Sequence, residues 1–277
     1  MKEPIILKDL IEYDFLLKIV SSFQDFDNLY LVTNYFEGDV LYNYKDQEIT
    51  EKEIQFISAC IIQSLVYLRE KTIINRDVRM KNLIMDKQGY LNLIDFSFSI
   101  KYKEKNDHKN DITGNKIESS PEILNHSVYD YNSDYYRIGT ILYYLIFKKY
   151  VNAVKIENNK NEIAIDYKAN TNFSTACLDF INKLIITDYK KRLGFKSINE
   201  LKNHNWFNGF DWQKFNSKAL KSPLKFMKKK FNKTICKKFI IKTKIHQKFN
   251  DKKIYKLIKN YENVNKIIVE EILNFII

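Results

Sequence analysis

Three side chains in the first half of the chain are spaced so that they could act together. Asp77 follows Arg76 at the end of the apolar run Ile73-Ile74, Asn82 lies five residues beyond it, and Asp95 ends a second short apolar run and is followed by Phe96. A carboxylate at position 77 can orient a hydroxyl nucleophile. The amide oxygen of Asn82 and the carboxylate of Asp95 are hard ligands that suit Mg²⁺ held against nucleotide phosphates. The chemistry these residue types point to is phosphoryl transfer. The alternative at each position is structural, since an Asp after an Arg in a loop often only forms a turn.

Such a loop must be held by regular elements on either side. Residues 49–71 carry Ile54, Ile57, Ile61, Leu65 and Leu68 at helical spacing, and Thr50 with Glu53 opens that run as a capping box. Phe15–Val20 and Leu29–Thr33 read as two strands around the polar turn Gln24–Asn28. Ile5–Ile11 is an amphipathic piece that suits the end of a helix. Tyr131–Ile146 and Phe173–Gly194 have helical periodicity, and Pro121 stands at a helix start. This mixture predicts an α+β protein.

Asn75-Arg76-Asp77-Val78-Arg79-Met80-Lys81-Asn82 with Asp95-Phe96-Ser97 resembles the His-Arg-Asp-x-x-x-x-Asn and Asp-Phe-Gly signatures of protein kinases. Residues 15–38 and 203–215 are similar to the AGC group, in particular its cyclic-nucleotide-dependent serine/threonine kinases, and the resemblance covers about 14–215. It implies a kinase-like fold: a partial N lobe over 1–35, a mostly helical C lobe over 36–215 and a lysine-rich extension over 216–277. The reaction implied is transfer of the ATP γ-phosphate to a protein Ser or Thr, with Mg²⁺.

By matching position, the resemblance makes Asp77 the residue that orients the hydroxyl. Arg79 stands where the family has a phosphate-contacting lysine, and Asn82 and Asp95 become the metal ligands. Asn34, Phe36, Asp39 and Ile84 would contact the nucleotide. Asp134 would brace the catalytic loop, Glu122 would pair with Arg192, and Asp111 would stand in for an activation-segment phosphate opposite Arg76. Lys81, Tyr144 and Ile117 occupy places where relatives carry carboxylates for basic peptides, so a preference for Arg-Arg-x-Ser/Thr substrates is not expected.

The chain departs from the family at Asn75 for His, Ser97 for Gly, and Asn115 and Lys116 in the activation segment. The sequence holds no G-x-G-x-x-G, its first glycine being Gly38. On this register Met1 falls just after the C-helix glutamate, so the glycine-rich loop, the β3 lysine and that glutamate are all expected to be missing from the chain as written. Two readings follow. Either the nucleotide clamp precedes Met1 in the biological protein, or the chain is a pseudokinase that acts as a binding scaffold.

Composition narrows the rest. A net charge of +12 favours acidic partners, and much of the excess lies beyond Lys214, where Phe226, Phe231, Phe239 and Phe249 interleave with lysines. That extension reads as a solvated charged helix or as a segment that meets an acidic surface, and no nucleic-acid recognition module is visible in it. Cys60, Cys177 and Cys236 are widely spaced and odd in number, which points to free thiols in a reducing, cytoplasmic setting. No run is long and apolar enough to span a membrane.

Overall fold

The computed structural model describes residues 3–10, 13–24, 28–102, 118–124, 130–151, 172–224 and 241–244. The chain divides into two compact units, Met1–Lys18 with Phe36–Ile235 and Ile19–Tyr35 with Cys236–Ile277.

In the larger unit, helix α1 (Glu3–Asp9) leads to Phe15-Leu16-Leu17, three consecutive buried residues. They do not start the predicted hairpin strand. Leu17 N donates to Leu93 O and Leu93 N to Phe15 O, so this stretch lies parallel to β5 (Leu91–Leu93). Three buried side chains in a row fit a segment enclosed on both faces, not an alternating hairpin strand. Helix α2 (Glu51–Glu70) forms the centre of this unit. Thr50 accepts from Glu53 N while the Glu53 carboxylate accepts from Thr50 N, and Ile54, Ile57, Ile61, Leu65 and Leu68 are buried along it.

Two short antiparallel ladders carry the loop residues. β3 (Ile73–Ile74) pairs with β6 (Ile100–Lys101), and β4 (Leu83–Met85) pairs with β5. Helix α3 (Pro121–Leu124) opens on its proline, and α4 (Tyr131–Phe147) is buried over most of its length. The helix predicted over 173–194 is shorter: α5 spans Thr175–Leu184 and is capped by Ser174. Beyond it the chain turns because Arg192 folds back onto Ile186 O and Leu193 N bonds Lys183 O. Gly194, at φ +94°, comes so close to the Tyr135 ring that a side chain there would meet it at 2.8 Å.

Helices α6 (Asn199–Lys202) and α7 (Trp212–Asn216) finish the unit, with Phe215 stacked among Phe15, Phe56 and Tyr90. The chain after α7 stays attached. Lys218 Nζ reaches Asp86 at 2.7 Å, Tyr90 OH donates to Leu220 O, and Ser222 Oγ donates to Gly89 O.

The smaller unit is a three-stranded antiparallel sheet in the order β1 (Ile19–Gln24), β2 (Asn28–Thr33), β7 (Ile241–Lys244). β1 and β2 form the predicted hairpin with shifted bounds and a bulge between Ile19 and Ser21. β7 is a strand where the sequence suggested a helix: its backbone pairs along β2 from Asn28↔Lys244 to Leu31↔Ile241. The edge groups of β2 that this pairing satisfies are what recruit it.

Candidate active site

The loop that follows β3 is held from below. Asp134, fully enclosed on α4, accepts from Asn75 N at 2.8 Å and from Arg76 N at 2.9 Å. Burial pushes its carboxyl up to about 6, against the pull of those two backbone bonds and of Arg137 and Arg76. Arg76 sits at φ +68°, a left-handed conformation that costs a non-glycine residue about 1 kcal/mol or more. Two bonds to one carboxylate, and a third from Arg76 Nε to Phe98 O at 2.6 Å, hold it there.

Asp77 is buried, and its environment is cationic. Its Oδ2 accepts from Asn82 Nδ2 at 2.8 Å and lies 3.1 Å from Arg79 Nε, while Arg137 Nη1 is 3.8 Å from Oδ1. Burial raises the Asp77 carboxyl above its ordinary range, and Arg137, Arg79 and the Asn82 amide oppose this. Sequence reasoning missed Arg137 and the buried Glu118, whose carboxyl burial also raises. The signal for Arg137 was available, since it is the one basic residue within the run Tyr131–Phe147.

Asn82 and Asp95 suit a hard cation. Asn82 Nδ2 is committed to Asp77 O and Oδ2, which leaves the side-chain Oδ1 without a hydrogen bond among the described residues. Ile94 N donates to Asn82 O at 3.0 Å, so the ladder places Asp95 next to the residue that partners Asn82. Asp95 Oδ1 accepts from Ser97 N and Oγ at 2.9 and 2.7 Å, and its Oδ2 accepts nothing among those residues. One oxygen from each side chain is therefore available. No cluster of three acidic, His or Cys ligands occurs among the described residues. Mg²⁺ in nucleotide sites needs only one or two protein oxygens besides phosphates and water, so the pair fits.

Asn75 ties the two motifs together. Its Nδ2 donates to Asp95 O at 2.8 Å and to Ser99 Oγ at 3.2 Å, and its Oδ1 accepts from Asp77 N. The amide in the histidine position thus spans from the catalytic loop to the Asp-Phe turn. Glu3, the first residue of α1, reaches the Asp-Phe turn. Its Oε1 accepts from Phe96 N at 3.3 Å, and burial, with Asp95 adding to it, raises its carboxyl.

The remaining candidates are spread more widely. Asp39 is exposed; both its oxygens accept from Asn43 Nδ2, and its backbone oxygen accepts from Met85 N. Gly38 permits this approach, because a Cβ there would lie 1.9 Å from Met85 O. Ile84 is half-buried on β4 and bridges Val40. Phe36 is half-buried at the start of a segment of the larger unit, and Asn34 follows β2 in the smaller one. Glu122 and Arg192 form a bidentate pair at 2.6 and 2.9 Å with both side chains buried. Burial raises Glu122, but Arg192's hydrogen bonds and charge outweigh it and leave the carboxyl below its ordinary value. Asp111, Asn115, Lys116 and Ile117 lie outside the described residues. Lys81 is exposed with its Nζ over the Tyr42 ring at 4.7 Å, and Tyr144 packs on Tyr150.

A loop between two short ladders, braced by a buried helix and facing an Asp-Phe turn, is an arrangement of the protein-kinase type. The profile of the protein kinase domain matches residues 1–207, and the chain belongs to that family. It is similar to "Serine/threonine-protein kinase Sgk1" of Danio rerio, 29% identical over 228 residues that make up 80% of this chain and 53% of that one. The "Serine/threonine-protein kinase sgk-1" of Caenorhabditis elegans is 30% identical over 80% of this chain and 49% of its own length. "cAMP-dependent protein kinase type 3" of Saccharomyces cerevisiae is 26% identical over 77% of this chain and 54% of its own. The AGC resemblance seen in the sequence stands. The chain spans about half the length of these curated relatives.

Proposed function

We propose that this chain carries the catalytic machinery of a serine/threonine protein kinase. The observation that carries the reading is the Asp77, Asn82 and Asp95 arrangement, with Asn75 spanning from Asp77 N to Asp95 O. Bound Mg²⁺·ATP supplies the γ-phosphoryl group. The chain orients the Ser or Thr hydroxyl and takes its proton at the Asp77 carboxylate, while Arg79 brings positive charge toward the phosphoryl oxygens. Asn82 Oδ1 and Asp95 Oδ2 would hold the metal. Asn34, Phe36, Asp39 and Ile84 would contact the nucleotide.

The substrate reading follows from charge. Lys81 is exposed and acts on the Glu118 carboxyl, so a basic peptide entering there meets like charge. Substrates of the Arg-Arg-x-Ser/Thr type are therefore not preferred over neutral ones. The lysine-rich segment beyond 216 is proposed to meet an acidic partner. A cytoplasmic setting is proposed from the thiols: Cys60 and Cys177 are free and buried, and burial raises both. Among the described residues no helix is long and apolar enough to cross a membrane.

Thermal unfolding with and without Mg²⁺·ATP tests the site. Stabilisation by about 2.7 kcal/mol is expected at a hundredfold excess over Kd, and Asp95→Ala abolishes it. No stabilisation of the wild type at millimolar Mg²⁺·ATP removes nucleotide binding and the kinase reading with it.

A further inference from the structure

Arg137 stands out because nothing in a buried, apolar helix calls for it. Its side chain is fully enclosed on α4, between Tyr136 and Ile138, which are themselves buried. A buried guanidinium is costly unless it is paired and fully hydrogen-bonded. Here the pairing is partial. Nη2 reaches Ser119 Oγ at 3.5 Å, Nη1 stands 3.8 Å from Asp77 Oδ1, and among the described residues neither Nε nor Nη1 has a hydrogen-bond partner. Asp77 Oδ1 likewise has none.

The position on α4 gives this a direction. Asp134 and Arg137 are three residues apart on one helix, so they lie on neighbouring turns of the same face. Asp134 takes the two backbone N–H groups that enter the loop, and Arg137 faces the carboxylate that ends the Arg-Asp pair. On its other side Arg137 meets Ser119, just before helix α3. A single buried cation therefore touches both the hydroxyl-orienting acid and the segment that leads into Ser120-Pro121-Glu122. With Arg79 opposite it, Asp77 is set between two guanidinium groups, one on each oxygen.

We propose that Arg137 is a positioning residue for phosphoryl transfer: it fixes the Asp77 carboxylate against the loop and couples its placement to the docking of residues 118–120. The proposal rests on the reading of Asp77 as the residue that orients the substrate hydroxyl. Among the described residues Arg137 makes no hydrogen bond or ion pair with Asn82 or Asp95, so its loss is expected to act on the transfer step and to leave nucleotide affinity in place. A misplacement of about 1 Å at a reacting group costs on the order of 100-fold in rate.

The test is steady-state kinetics on the full chain in three forms, wild type, Arg137→Met and Arg137→Lys, with the melting temperature of each. Methionine fills the volume without charge, and lysine keeps the charge without the planar fork. The expected result is a kcat about 100-fold lower in Arg137→Met and about tenfold lower in Arg137→Lys, both at an unchanged KM for ATP. Should the methionine variant fail to fold, the lysine variant alone decides. A kcat within twofold of wild type in the folded variants overturns the proposal while the kinase reading stands. So does an equal loss in both variants accompanied by a raised KM for ATP and a lowered melting temperature, which marks a merely structural role. A wild type that transfers no phosphate removes the kinase reading itself and, with it, the role of Arg137.

Discussion

The loop chemistry depends on side chains that replace the family's usual ones without breaking its connections. Asn75 takes a histidine's place and still reaches Asp95 O and Asp77 N with its two amide ends. Asn75→Ala leaves the buried Asp77 N–H without its partner, and a cost of about 1–3 kcal/mol follows, measurable by chemical denaturation. Ser97 replaces a glycine, and its hydroxyl adds a bond to Asp95 Oδ1. Ser97→Gly is expected to leave folding within about 0.5 kcal/mol and to change Mg²⁺ dependence, read as the metal concentration at half-maximal stabilisation by ATP. At this scale the sequence was informative where motif and spacing spoke. Asp77, Asn82 and Asp95 stood out by register. What Asn75 bonds to depends on a fold that brings residues 75 and 95 together, and no local pattern carries that.

Two helices set the site from opposite directions, and they were legible to different degrees. α2 was readable throughout, because its capping box and its apolar spacing are both local. Thr50→Ala is expected to lower stability by about 1 kcal/mol, seen as a shifted denaturation midpoint with an unchanged slope. α4 showed its periodicity and the bracing position of Asp134, but the burial of its Arg137 has no local signature. The Asp134 carboxyl, raised by burial to about 6, has a pH consequence. Between about pH 4 and 6 the folded protein keeps a proton there that the unfolded chain has lost. The stability this contributes is fully present below about pH 4 and falls as pH rises to 6, by at most about 1.4 kcal/mol per pH unit. Asp134→Asn lacks that slope, so the wild-type-minus-variant difference measured from pH 4 to 7 isolates it. A difference that is flat with pH would show that the Asp134 carboxyl is not raised.

Over the whole molecule, the larger unit is closed by contacts between residues far apart in sequence. Glu122 and Arg192, 70 residues apart, form a buried bidentate pair that also takes in Asn132 O and Ile186 O. Arg192→Met leaves Glu122 uncompensated and costs about 3–5 kcal/mol, whereas the double change with Glu122→Leu costs less; equal losses would mean the two do not pair. The fold class was legible because helix and strand patterns are local. The shortened α5 and the strand β7 were not: a turn fixed by Arg192 and a strand recruited by the open edge of β2 are decided by distant partners. The central claim is that Asp77 serves phosphoryl transfer, and its most direct test is transfer of labelled γ-phosphate to neutral, acidic and basic Ser/Thr peptides. The account predicts transfer by the wild type with no preference for the basic peptide, and a rate lower by about 10²–10⁴ in Asp77→Asn at unchanged ATP binding. Equal transfer by wild type and Asp77→Asn, or no transfer by the wild type with ATP bound, would contradict it.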